Sequence, residues 1–171
     1  MKILQLLEEV ARRAFSSEAG GYHKGVIYIE PDENGKFDSL EVIQNVYDGM
    51  RFKTKRTAVK LARSYVLDDE LSERLSFFLD FLTDETGFSK ALSKEVGFPV
   101  SNSYEAPFVF TLFPKDKETR ACLAAKLGDS LIVELDEKDL RELFDELFST
   151  GKVRKFLKKL AAKIRKLVDE C

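Results

Sequence analysis

The sequence predicts an α+β fold: two three-stranded antiparallel meanders, or one combined sheet, with flanking helices in the order α-βββ-αα(α)-βββ-αα. Three observations support this. Segments with apolar residues at helical 3–4 spacing alternate with short β-branched and aromatic runs. Asp-Gly and Gly-Asp turn pairs sit between those runs. The last two helical segments are adjacent, which predicts a C-terminal αα-hairpin. Apolar residues make up 44% of the 171 residues and include 14 Phe, enough for one aromatic-rich core. One compact unit over residues 1–171 is expected, with its only candidate sub-boundary in the loop 98–107.

Ile3, Leu6, Leu7, Val10, Ala11, Ala14 and Phe15 lie on one helical face, and Gly20-Gly21 ends that helix. Val26–Ile29 is a β-branched and aromatic strand closed by the turn residues Pro31–Gly35. Leu40, Val42, Gln44 and Val46 alternate with Glu41, Ile43, Asn45 and Tyr47 in a second strand, and Asp48-Gly49 turns the chain into a third from Met50. Thr54 is read as the N-cap of a helix that turns Ala58, Val59, Ala62, Tyr65 and Val66 inward. A helix starting at Asp68-Asp69-Glu70 buries Leu71, Leu75, Phe78, Leu79 and Leu82, and a short helix runs to Gly97. Phe98–Pro107 reads as a loop and Phe108–Phe113 as a central strand. Thr119–Lys126 is ambiguous: its Ala content favours helix, whereas the Gly128-Asp129 turn and the strand Leu131–Leu135 favour a hairpin, which is the reading preferred. Asp136 caps a helix burying Leu140, Leu143, Phe144, Leu147 and Phe148. After Gly151, the last helix aligns Val153, Phe156, Leu157, Leu160, Ile164, Leu167 and Val168.

Composition narrows the setting. The only cysteines, Cys122 and Cys171, have no zinc spacing and form no disulfide framework, so a reducing, cytoplasmic compartment is expected and Cys122 reads as a small buried hydrophobe. No apolar run is long enough for membrane insertion, and Glu8-Glu9 interrupt any signal-peptide layout. Three Asn and two Gln against 34% charged residues is the composition of a thermophile protein.

Charge is segregated along the chain. Residues 51–63 carry six cations (Arg51, Lys53, Lys55, Arg56, Lys60 and Arg63) and no acid, and residues 152–166 carry eight and no acid. Together the blocks hold +14 in a chain of net charge −2, and acidic runs Asp68–Glu73 and Glu134–Glu146 adjoin them. On a helix, Lys53, Arg56, Lys60 and Arg63 would share a face beside free N-terminal amides, a combination that attracts phosphate. The order helix, three-stranded meander, helix with Lys/Arg at its start resembles that of double-stranded RNA-binding domains over about Lys2–Val66. The Gly-Pro-x-His loop of that family is missing; Gly20-Gly21-Tyr22-His23 precedes the first strand instead. The second block reads as a basic amphipathic helix that could lie on an anionic membrane, grip nucleic acid or dock on a partner; the reading preferred pairs it with the acidic helix before it, apolar stripes together and opposite charges along the rim.

Catalytic patterns are sparse. His23 is the only histidine and reads as a loop residue, no Ser sits in a Gly-x-Ser-x-Gly elbow, and the glycines near Gly25 match no phosphate loop. Asp116 and Asp136-Glu137-Lys138 resemble the Pro-Asp…(Asp/Glu)-x-Lys pattern of metal-dependent nucleases, although Lys115 separates Pro114 from Asp116. The expected function is therefore non-enzymatic binding without cofactor or metal. An anionic partner, nucleic acid, would be contacted through segments 51–63 and 152–166. A protein partner or homo-oligomer is the alternative, and a metal-dependent nuclease the third reading.

Overall fold

The structure, a computed structural model, describes residues 25–47, 50–84, 86–102 and 106–171. The helix expected over Ile3–Phe15, His23 and the Asp48-Gly49 turn lie outside the described residues. The described elements are β1 (Gly25–Tyr28), β2 (Lys36–Tyr47), β3 (Phe52–Val66), α1 (Asp69–Thr83), α2 (Phe88–Val96), β4 (Val100–Asn102), β5 (Val109–Leu112), α3 (Lys117–Leu127), β6 (Ile132–Glu134), α4 (Glu137–Thr150) and α5 (Arg154–Asp169). They form two three-stranded antiparallel sheets, β1-β2-β3 and β4-β5-β6, in an α+β fold that ends in the expected helix pair.

In the first sheet, Leu40 faces Val59, Val42 faces Thr57 and Gln44 faces Lys55. Side chains alternate, so Ile27, Leu40, Val42, Val59, Leu61 and Tyr65 are buried on one side, and Tyr28, Glu41, Arg56 and Lys60 lie on the other. A register shift between Phe37 and Ser39 brings Phe37 opposite Tyr65, and the Phe37 ring meets Phe148 of α4 edge-on at 5.6 Å.

The helix expected from Thr54 is the long strand β3. Ala, Lys and Arg favour helix locally. Pairing with the 12-residue β2 satisfies the same backbone groups, and Thr57, Val59 and Leu61 already alternate with period two. Two further segments change type. Thr119–Lys126, assigned to a hairpin, lies within α3, whose N-cap Asp116 accepts from the Thr119 amide. The third strand of the second sheet is instead β4, inside the segment read as a loop.

One cluster of buried residues runs from Ile27 through both sheets to Ile164. Phe144 packs edge-on against Phe78 and Phe108, with ring centroids 6.4 and 5.9 Å away. Gln44, buried in the first sheet, accepts the Phe108 amide at 3.3 Å, so its polar atom is satisfied across the core. The outer edge of β3 is closed by α4. Both carboxylate oxygens of Asp145 accept the Ala62 N–H, at 3.0 and 3.2 Å, and Arg141 donates to the Lys60 carbonyl at 2.7 Å. The Tyr65 hydroxyl donates to Asp145 at 2.6 Å. Burial, then this bond, raises the Tyr65 pKa, so the joint holds at pH values below the phenol's ordinary range and weakens as pH climbs through the raised value. These contacts occupy backbone groups that would otherwise template another strand.

Cys122 and Cys171 form a disulfide, contrary to the expectation of two reduced thiols. Packing of α3 beside the end of α5 is the cause: Lys126 reaches the Leu167 carbonyl and the Glu170 carboxylate, and the cysteine Cα atoms stand 5.8 Å apart. Among the described residues no helix is long and apolar enough to cross a membrane.

Asp145→Ala strips the partner from the Ala62 amide and the Tyr65 hydroxyl, and is expected to cost about 2 kcal/mol, read as a lowered urea midpoint. Cys171→Ser opens a loop of sequence separation 49. Chain-entropy reasoning assigns such a loop about 4 kcal/mol, so thermal unfolding should shift down and become insensitive to reductant.

Candidate functional site

The first basic block lies on a strand, so its cations do not share one face. Arg56 and Lys60 point to the outer side of the sheet, while Lys55 points to the opposite side. Each has an acidic partner: Arg56 bonds Glu41 at 2.9 Å, Lys60 bonds Asp38, and Lys55 bonds Glu134 of β6. Arg63 donates to the Ser149 hydroxyl at 2.9 Å, and its guanidinium sits 5.1 Å from the centre of the Tyr65 ring. Arg51 and Lys53 stand at the exposed end of the β2–β3 hairpin. With β3 in place of a helix, the free helical amides assumed beside these cations are missing, and so is the second helix behind the likeness to double-stranded RNA-binding domains. What the outer sheet face does carry is aromatic. Tyr28, Tyr47 and Phe52 are 48%, 50% and 46% exposed, and Tyr47 meets Phe52 at 5.1 Å.

The second block divides in two. Along the middle of α5, Lys159 pairs with Glu142 at 2.7 Å and Lys163 with Asp139 at 3.2 Å, the rim pairing expected of an acidic and a basic helix. Glu146 of α4 crosses to the first turn of α5 and accepts the amides of Lys155 and Phe156 at 3.0 and 2.8 Å. It caps a helix whose own N-cap residue, Val153, has no suitable side chain. Around that capped turn, Lys152, Arg154, Lys155 and Lys158 have no ion-pair partner among the described residues. Lys94, from the last turn of α2, joins them.

Beside this cluster a groove of about 460 Å³ is floored by Phe81, Ala91, Val153 and Leu157. Phe77 and Phe81, one turn apart on α1, are 67% and 37% exposed. Neither Lys94 nor this aromatic pair was singled out from the sequence. The available signal was Phe77, an aromatic residue off the buried stripe of its helix.

The paired carboxylates read as a metal site are helix caps. Asp116 accepts the Thr119 amide at 2.7 Å and its hydroxyl at 2.8 Å, and these bonds lower its pKa. Asp136 accepts the Asp139 amide at 2.9 Å in a reciprocal capping box. That bond first, and Lys163 among the smaller contributions, lowers the Asp136 pKa. Among the described residues no group of three or more His, Cys, Asp or Glu is arranged to hold a metal ion. Compared with protein-family models, curated proteins and solved structures, the chain finds no match in any of the three.

A depressed folded-state pKa stabilises at pH values above the unfolded one, and the contribution is lost as pH falls through the folded value. Asp136→Ala is therefore expected to cost about 1 kcal/mol at neutral pH. In denaturation curves across pH, its gap from the parent protein should narrow once Asp136 becomes protonated.

Proposed function

We propose that this is a non-enzymatic binding protein whose partner is anionic, contacted through the cations at the start of α5 and the end of α2. One observation supports it above the others: Lys94, Lys152, Arg154, Lys155 and Lys158 cluster without acidic partners, in a fold that matches Lys55, Arg56, Lys60, Lys159 and Lys163 to acids. A paired cation has a neutralised field. An unpaired group of like charges focuses potential and steers anionic partners toward it. Capping by Glu146 keeps the first turn of α5 helical, which holds the group on one patch.

A second reading, nucleic acid on the first sheet, draws on Tyr28, Tyr47 and Phe52 on the face that carries Arg56 and Lys60, with Arg51 at the hairpin end. Exposed rings on a sheet face can stack unpaired bases while cations follow the backbone. The amide-poor, charge-rich composition and the disulfide together fit a heat-adapted cytoplasmic protein, because intracellular proteins of hyperthermophiles are disulfide-rich.

Titration with oligothymidylate and with a DNA duplex at about 50 mM salt separates these readings. For the α5 cluster, Lys152→Glu, Arg154→Glu and Lys158→Glu together should abolish binding. Lys53→Glu, Arg56→Glu and Lys60→Glu together should leave most of it. Three contacts on a single strand imply a log–log salt slope of about −2. The opposite ranking of the two triple variants would favour the sheet face, and no binding to either polyanion would contradict both readings.

A further inference from the structure

We infer that the groove between α1, α2 and the start of α5 is a docking site for an acidic amphipathic segment of a partner protein. This rests on the anionic-partner reading above and names the partner's chemistry. The groove floor is apolar, formed by Phe81, Val153, Leu157 and Ala91, and its rim carries Lys94, Lys152, Arg154 and Lys158. None of those four cations has an ion-pair partner among the described residues. Phe81 leans edge-on against buried Phe88, with ring centroids 6.0 Å apart, so one side of the ring is fixed by the core and the rest faces the groove.

Charge complementarity selects the occupant. A phosphate backbone would engage the rim cations and leave the apolar floor wet. A segment with an aliphatic or aromatic anchor at helical spacing, flanked by Asp and Glu, fills the floor and pairs the rim at once. Stacking of bases suits open ring faces, such as those on the outer sheet, better than a concave floor where the Phe81 ring is set among Ala91, Val153 and Leu157.

Three labelled probes of equal net charge test this by fluorescence anisotropy: a short peptide with Leu and Phe at i, i+4 spacing and Glu elsewhere, oligoglutamate, and oligothymidylate. The peptide is expected to bind about tenfold tighter than either of the others, the gain from burying one anchor. Phe81→Ser should remove that margin while leaving oligoglutamate binding unchanged, and Lys152→Glu with Arg154→Glu should weaken all three. Because Phe81 touches the core, methyl resonances of Val153 and Leu157 in the unaltered protein give a second readout, and they should shift with the peptide alone. Equal binding of peptide and oligoglutamate overturns the groove but leaves the anionic-partner reading intact. No binding by any probe overturns both. Tightest binding by oligothymidylate makes the patch a nucleic-acid site. Concentration-dependent dimerisation that is lost in Phe81→Ser makes the occupant a second copy of this chain.

Discussion

The contact on which the rest of the structure depends is the joint between Asp145 and the outer edge of β3. A 15-residue edge strand exposes a row of backbone donors and acceptors, which is both an energetic and an aggregation liability. Asp145 takes the Ala62 amide and the Tyr65 hydroxyl, and Arg141 takes the Lys60 carbonyl. One helix from the second half of the chain thereby seals a sheet made in the first half. The aromatic contacts of Phe148 with Phe37 and Tyr65 lie directly beneath, so the polar joint and the apolar packing hold the same two elements in register.

That docking also settles much of the charge. Once α4 lies against β3, Glu142 and Asp139 on another side of α4 meet Lys159 and Lys163 of α5. Exposed pairs of this kind contribute little each, but they decide which cations retain a field. Glu146 is drawn to the amides at the start of α5 and is not in ion-pair contact with the neighbouring lysines, so the positive patch there persists beside an apolar groove. A single helix, α4, therefore closes the sheet edge, neutralises the middle of α5 and leaves its start charged.

Much of this fold was legible in the sequence because burial follows local periodicity. The inward residues of β2 and the stripes of α1, α4 and α5 were read from spacing alone, and Leu40, Val42, Leu75, Leu140 and Leu160 are all buried. β3 was misread because its Ala, Lys and Arg residues satisfy a helix locally, and only the ladder to β2 decides otherwise. α3 was misread because it buries one residue, Leu123, so it has little amphipathic signal to read. The disulfide and the ion pair of Lys55 with Glu134 join residues 49 and 79 positions apart, distances that no local pattern encodes. The candidate site suffered most from this. The cations were visible as a run, but their partners came from distant elements, and the partners determine which cations are available.

Unpaired positive charge clusters at the start of α5, while Lys55, Arg56 and Lys60 of the first basic block are paired with acids. The most direct measurement is an amide chemical-shift map of the unaltered protein titrated with inorganic tripolyphosphate, a compact anion with no shape preference for a groove or a sheet. Saturable shifts grouped at residues 152–158 and around Lys94 are expected, with residues 55–63 little changed. Shifts grouped on β3 instead, at Arg56 and Lys60, would contradict this division of charge.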